Sequence, residues 1–150
     1  MEETILAIHI LSAAAWIGTA VFFGYAGPRF RDIGGPAVAG WIRVAMGAIP
    51  RFVSPVAILT VLSGATLVSV EDEWRWGDGF VWIGIAVFVV TLSIGLAWNT
   101  PNMRKALAAL ESKDFPSVGA AMKKVANGGL IIVALLFFAE FAMVFRIGSG

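Results

Sequence analysis

The chain has 150 residues, a net charge of +1 and a mean hydropathy of +0.85, with 59% hydrophobic and only 14% charged residues. This composition fits one domain and is too apolar for a water-soluble one. The chain has no cysteine and no basic cluster interleaved with aromatics, which excludes disulfides, thiolate metal sites, cysteine nucleophiles and a nucleic-acid partner.

Long apolar stretches follow one another along the chain. A helix needs about 20 apolar residues to cross a bilayer. Four stretches qualify, at residues 5–25, 52–70, 80–98 and 125–145. Glu2 and Glu3 stand where a signal peptide carries basic residues, so we expect the first stretch to be a span. We therefore predict an all-α fold: a four-helix transmembrane bundle that forms one integral membrane domain over residues 1–150, with the lipid bilayer around it.

The connection at residues 26–51 has features of a helix. Pro36 follows two glycines and is a good first-turn residue. We expect a helix over residues 37–49 that either lies on the membrane or extends the second span. Pro50 and Pro55 would then kink or interrupt it.

The connection at residues 99–124 is predicted to have three segments. A short amphipathic helix is expected over residues 102–110, after Thr100-Pro101 at the start of the connection. A turn is expected at residues 114–116, which include a proline. A further piece over residues 117–124 leads into the fourth span.

Basic residues cluster on one side of the predicted bundle. The two connections hold nine of the 11 Lys and Arg residues: Arg29, Arg31, Arg43, Arg51, Arg104, Lys105, Lys113, Lys123 and Lys124. The other side has only Arg75 and Arg146 and carries six acidic residues. We expect the protein to lie in a bacterial inner membrane. The positive-inside rule then predicts that both termini lie outside and that both connections lie in the cytoplasm.

Tryptophans mark the expected interfaces. Trp74, Trp76 and Trp82 surround the acidic hairpin between spans 2 and 3, where we expect them to anchor the bundle. Trp16 lies near mid-span and must face a neighbour or lipid. The sequence WIGTAVF that begins at Trp16 is similar to WIGIAVF that begins at Trp82. We attribute this similarity to composition rather than to duplication.

Small residues recur four apart in three spans. The pairs are Ala14 and Gly18, Thr60 and Gly64, and Thr91 and Gly95. Such spacing lets helices approach closely in lipid, and we expect ordinary bundle packing from it.

Two ionisable residues interrupt the apolar spans. His9 is the single histidine, and Glu140 is the one acid within a long apolar run. Ionisable groups at membrane depth are expensive and mark functional sites. His9 lies about 6 Å along the helix axis from Ile5, and Glu140 about 9 Å from Arg146. Since spans 1 and 4 run in opposite directions, both residues fall at a similar depth in the outer half of the membrane.

Three interpretations of this polar site stay open. The first is a buried hydrogen-bonded pair, or two residues satisfied separately by backbone or by hydroxyls such as Ser12, Ser63, Thr66 and Ser69. The second is a metal or haem site: His9, Glu140 and Met143 are candidate metal ligands, His9 with Met143 suits copper(I), and His9 alone is a candidate cofactor ligand of haem b. The third is a proton or substrate relay.

No nucleophile–base set, phosphate-binding glycine loop or paired carboxylates occur in the chain. We therefore assign no catalytic residue and favour a non-enzymatic membrane protein that handles metal, copper in particular, through the outer polar site. A haem-binding membrane oxidoreductase is the enzymatic alternative. A homo-oligomer, or an accessory subunit of a larger membrane complex, is the third possibility.

Residues 5–30, ILAIHILSAAAWIGTAVFFGYAGPRF, resemble the membrane domain of copper-resistance protein D and a related family of small integral membrane proteins of unknown function. The shared features are a His early in span 1, a Trp-Ile-Gly seven residues later, Arg51-Phe52 opening span 2, Leu62-Ser63-Gly64 within it, and Met-Val-Phe-Arg ending span 4. The resemblance implies a four-helix bacterial inner-membrane protein that handles copper.

The first span is also similar to that of the small bacterial membrane protoporphyrinogen oxidase family. That family opens with a His-bearing helix and a Trp, and its haem-linked chemistry would carry over to His9 alone. It also has a lysine in its third span, and residues 80–98 contain none.

Overall fold

A computed structural model describes residues 2–33, 35–70 and 74–149. Most of that part of the chain is helical and none of it is strand, which confirms the all-α prediction. The α-helices are α1 Glu2–Ile33, α2 Gly35–Ala48, α3 Ser54–Val70, α4 Gly79–Ser93, α5 Thr100–Glu111 and α6 Phe115–Val144. Two short π-helical pieces, Ile49–Val53 and Ile94–Asn99, are called the first and second π segments.

The π segments join α-helices into longer ones. One continuous helix runs over Gly35–Val70 and another over Gly79–Glu111; with α1 and α6 they make four helices long and apolar enough to cross a membrane. In the most apolar 18-residue stretch of each of these helices, only 11–28% is buried within the bundle. The remaining apolar surface suits contact with lipid. This is the predicted four-helix bundle, and it fits a multi-pass membrane protein. The helices run on through most of residues 26–51 and 99–124.

Each π segment contains a proline or lies close to one. Pro50 is the second residue of the first segment, and Pro101 follows the second segment by two positions. Proline has no N–H and its ring clashes with the carbonyl four residues earlier, which a locally wider turn avoids. After the second segment, the hydroxyl of Thr100 donates to the carbonyl of Gly95 at 2.9 Å. The chain therefore passes these prolines without leaving the helix.

The packing order of the long helices places α1 between α3 and α6, and α6 between α1 and α4. Helices α3 and α4 follow each other in sequence but share little contact. Spans 1 and 4 are therefore neighbours, which a shared site of His9 and Glu140 requires.

The basic end, where α1 turns into α2 and α5 into α6, has the larger core. Its buried residues are Ala26, Val38, Trp41, Ile42, Ala45, Met103, Ala106, Val118, Ala121 and Met122. The ring of Trp41 stacks on Phe30 with centroids 4.9 Å apart, and it meets Phe23 edge-on at 5.4 Å. Because four helices supply this core, it fixes their relative positions at this end.

The terminal end, which carries both chain termini and the start of α4, has a much smaller core of Val68, Phe80 and Val81. Here the backbone N–H of Gly79 donates to the carbonyl of Gly148 at 2.9 Å. Gly148 has a φ of +80°, a conformation that favours glycine, and its Cα lies close to Gly79. The turn after α6 is thus tied to the start of α4.

The expected turn at residues 114–116 forms the beginning of α6. Asp114 precedes the helix, and its carboxylate accepts a hydrogen bond from the backbone N–H of Ser117 at 3.2 Å. Hydrogen bonds from the side chain and then the backbone of Ser117 hold the pKa of the exposed Asp114 below its ordinary value. An ionised Asp114 therefore caps α6 at neutral pH.

A close contact joins the second π segment to α6. Asn99 is buried and packs against Gly128, where a Cβ would overlap its Oδ1 atom and lie 3.0 Å from Trp98. The indole N–H of Trp98 donates to the carbonyl of Lys124 at 3.0 Å. Glycine at position 128 is therefore what lets α6 approach the π segment.

We expect Gly128→Ala to lower the free energy of unfolding by about 1–3 kcal/mol, because the added methyl overpacks the Asn99 contact. The measurement is unfolding of the detergent-solubilised protein followed by circular dichroism. The matched control is Gly129→Ala, where a Cβ meets nothing within 4 Å. Equal stabilities of the two variants would show that the contact does not constrain the helices.

Candidate functional site

The imidazole of His9 is held by α3. Its Nδ1 atom lies 2.9 Å from the backbone carbonyl oxygen of Thr60 and 3.2 Å from the hydroxyl of Ser63. A carbonyl oxygen only accepts hydrogen bonds, so Nδ1 carries the proton. The Ser63 hydroxyl hydrogen points to its own helix, toward the carbonyls of Leu59 at 2.7 Å and Thr60 at 3.0 Å. Its oxygen is thus an acceptor for His9 as well.

In the neutral form of His9, this arrangement leaves a free lone pair on Nε2. A neutral imidazole that donates from Nδ1 must carry its lone pair on Nε2. Histidines that bind metals are commonly oriented in this way, with the other ring nitrogen donating to a backbone carbonyl. His9 therefore has the tautomer and the fixed orientation that a metal ligand needs.

The space for the ring is made by a glycine. A Cβ at Gly64 would lie 2.9 Å from Cε1 and 3.3 Å from Nδ1 of His9. The imidazole consequently lies directly over the backbone of α3. Of the three predicted small-residue pairs, only Thr60 and Gly64 make this kind of approach: a Cβ at Gly18 or Gly95 would meet nothing within 4 Å.

A cavity of about 780 Å³ opens in front of His9. Its walls come from α1, α3, α4 and α6, and most of them are apolar. Glu140 and Met143 of α6 also line it, so all three predicted site residues border one space. This volume lies within the range of small-molecule and cofactor pockets and far exceeds what a single ion needs.

Glu140 does not hydrogen-bond to His9. It is half-buried, and its carboxyl group has no hydrogen-bond partner among residues 2–33, 35–70 and 74–149. Of the two forms of the first interpretation, His9 takes the second: it bonds to the backbone and a hydroxyl of α3 instead of to Glu140. The carboxyl group lies in the wall of the cavity, where a bound cation could use it as a ligand.

Met143 packs on α4. The terminal methyl group lies so close to Gly84 that a Cβ there would be 2.6 Å from it. Met143 also packs against the small core of the terminal end. Its thioether therefore borders the cavity in a defined position, and a soft metal ion could use its sulfur.

The other hydroxyls near His9 serve their own helices. Ser12 donates to the carbonyl of His9 at 3.0 Å, Thr66 to Leu62 at 2.9 Å and Ser69 to Ala65 at 2.9 Å. Of the four predicted hydroxyl partners, Ser63 alone contacts the imidazole. In the part of the chain that the structure describes, no group of three or more His, Asp or Glu residues is placed to hold a metal ion.

Two features of the site were not predicted from the sequence. Trp74 and Trp76, interpreted as interface anchors, both line the cavity. Trp16 lines it from α1. Its spacing of seven residues from His9, two helical turns, places both on one face and is the signal that could have indicated this.

Comparison with protein-family models, with curated proteins and with solved structures finds no match to this chain.

We expect Gly64→Ala to displace the imidazole of His9 and to lower the free energy of unfolding by about 1–3 kcal/mol, because the new methyl occupies the place of the ring. The measurement is unfolding in detergent followed by circular dichroism. For Gly18→Ala on α1, the control, we expect no loss and a gain of up to about 1 kcal/mol from helix propensity. If Gly64→Ala behaves like Gly18→Ala, the ring does not lie on α3.

Proposed function

We propose that this protein binds a haem in the cavity, where Nε2 of His9 would hold the haem iron. The observation that carries the proposal is the hydrogen bond from Nδ1–H of His9 to the carbonyl of Thr60 at 2.9 Å. It fixes the tautomer and direction of a ligand in an otherwise apolar space. The cavity volume of about 780 Å³ supports a cofactor rather than an ion.

The residues present fit such a group. One histidine with a free Nε2 could hold haem iron. Apolar walls suit the macrocycle, and Trp16, Trp74 and Trp76 offer aromatic surface within the same cavity. When bound, haem supplies one-electron redox chemistry. Glu140 borders the same space and can hold or release a proton beside it.

Copper(I) is the second candidate, favoured by the presence of Met143 and Glu140 in the wall of the His9 cavity. An imidazole nitrogen and a thioether sulfur are soft enough ligands for copper(I), and a carboxylate balances its charge. This candidate agrees with the resemblance of the first span to copper-resistance protein D. It requires the three side chains to converge on one ion and leaves most of the cavity unused.

We expect the detergent-purified protein, titrated with haem, to show a Soret band that His9→Ala abolishes and Ser63→Ala weakens by about tenfold in affinity. The control is Ser69→Ala, since Ser69 donates only to its own helix. Copper is measured by elemental analysis of the same proteins. If the protein binds copper but not haem, and both His9→Ala and Met143→Leu lose the bound copper, the site is a copper site. Binding of neither overturns both candidates.

We further propose a bacterial inner membrane as the location, with the basic end in the cytoplasm. The support is the distribution of charge: nine of the 11 Lys and Arg residues fall in residues 26–51 and 99–124, which form the basic end. Positive residues are retained on the cytoplasmic side during insertion. The site around His9 then lies toward the outer face.

The chain has no cysteine, so single cysteines report the orientation directly. We expect Ser149→Cys at the terminal end to react with a membrane-impermeant maleimide in intact cells and Ser112→Cys at the basic end to react only after lysis. Both positions are exposed. The reverse pattern would place the His9 site on the cytoplasmic side.

A further inference from the structure

A second apolar space, which we call the basic-end groove, lies between the helices toward the basic end. Its volume is about 200 Å³, and its walls come from α1, from α6 and from both helices that carry π segments. On α1 its lining runs from Trp16 to Pro28, a length of about 18 Å along the helix axis. The groove is not fully enclosed: Leu92 and Leu96, which line it, are 42% and 56% exposed. It therefore opens onto the apolar surface that suits lipid.

The groove is long, narrow and uncharged. No charged side chain among the described residues lines it. The hydrocarbon core of a bilayer is about 30 Å thick, so the length of the groove is close to that of the hydrocarbon layer of one leaflet. These dimensions fit an extended chain better than a compact ring system.

Glycines on three helices leave the groove empty. Gly24 of α1, Gly95 of the second π segment and Gly129 of α6 all line it. A Cβ at any of these positions would meet nothing within 4 Å. The space therefore exists because three helices lack a side chain at these positions, and a larger side chain there would occupy it.

The indole N–H of Trp41, which borders the groove, lacks an acceptor. Trp41 is only 8% exposed, and a Cβ at Gly27 in the same wall would lie 3.4 Å from its Nε1 atom. Nε1 has no hydrogen-bond partner in the part of the chain that the structure describes, and unlike Oδ1 of Asn99 it is not sealed by neighbouring atoms. A buried indole donor normally finds a partner. A bound molecule with a carbonyl or phosphate oxygen would supply one.

Four exposed basic residues directly follow residues that line the groove. The pairs are Pro28 and Arg29, Ile42 and Arg43, Met103 and Arg104, and Met122 and Lys123. They come from four helices, and within the described part of the chain none of the four basic groups forms an ion pair. The two connections carry nine basic and three acidic residues, a net charge of +6. Positive charge beside an apolar groove favours an anionic amphiphile over a neutral one.

We propose that the basic-end groove binds one acyl chain of an anionic phospholipid, with the phosphate among these four basic residues. The apolar walls hold the chain, Trp41 donates to an ester carbonyl or phosphate oxygen at its upper end, and the cations neutralise the head group. A neutral quinone would leave the cations unused. Phosphatidylglycerol as the natural source rests on the proposed bacterial inner membrane, whereas binding to the purified protein does not. The site is separate from ligand binding at His9.

The test is native mass spectrometry of the detergent-purified, delipidated protein. Phosphatidylglycerol and phosphatidylcholine with identical acyl chains are added in separate titrations, and the fraction of protein with one bound lipid gives each Kd. We expect phosphatidylglycerol to bind about tenfold more tightly, because each basic residue near the phosphate strengthens binding several-fold. Arg104→Gln combined with Lys123→Gln should lower this preference by about fivefold. The matched double variant, Lys105→Gln with Lys113→Gln, removes the same charge from exposed positions that follow no lining residue and should keep the preference.

The groove itself is tested by Gly24→Leu and, in a separate protein, by Gly95→Leu. Each places a side chain in the open space, and we expect each to weaken phosphatidylglycerol binding by about tenfold, the effect of exposing about two methylene groups of the acyl chain. The matched control is Gly40→Leu, where a Cβ also meets nothing within 4 Å but the residue lines neither the groove nor the His9 cavity. Circular dichroism and a single elution peak establish that each variant is folded. If one groove variant does not fold, the other decides.

Three results would overturn the proposal. Equal affinities for the two lipids would indicate ordinary lipid contact without a site for the phosphate. Folded groove variants that bind phosphatidylglycerol as tightly as Gly40→Leu does would place the lipid elsewhere. A dimer of the wild-type protein that Gly24→Leu dissociates would assign the groove to a second copy of the chain. None of these results bears on haem or copper binding at His9, or on the orientation that cysteine labelling reports.

Discussion

In lipid, a backbone polar group without a partner costs several kcal/mol, and no water is present to satisfy it. The whole chain is built around this constraint. Hydroxyls within the spans, such as those of Thr66, Ser69 and Ser93, donate to carbonyls of their own helices. Pro50 and Pro101 lie at π turns instead of breaking their helices. His9, in contrast to these hydroxyls, donates to a carbonyl of another helix. That single bond both joins α1 to α3 and directs a ring nitrogen into the bundle.

The two ends of the bundle differ in the size of their buried cores. At the basic end, Trp41 and Ile42 lie in a core drawn from four helices, and Ile42 and Ala106 are fully buried. At the terminal end the core is small and a cavity of about 780 Å³ lies between the helices. The largest core therefore lies away from the site, and a smaller cluster of Val87, Leu136 and Ala139 packs beside the cavity.

Much of the fold could be predicted from the sequence because lipid imposes a simple length and polarity requirement. Four apolar stretches were sufficient to predict four helices, and the rarity of His9 and Glu140 was sufficient to single them out. Their partners were not predictable, because hydropathy along a single helix does not say which helix is its neighbour. The spacing of Thr60 and Gly64 indicated a close approach, but the same spacing at Thr91 and Gly95 leads to none. Proline positions indicated a kink and could not distinguish it from a π turn.

The π segments have a consequence for how the protein could have evolved. A π turn holds one more residue than an α turn, and each residue turns an α-helix by about 100°. The part of a helix beyond a π segment is thus rotated relative to the part before it. In Gly35–Val70 and in Gly79–Glu111, the half beside His9 and the half in the basic core present faces that are set independently. Insertion of a single residue is thus enough to let one part of a continuous helix be selected for a binding cavity and the other part for a stable core.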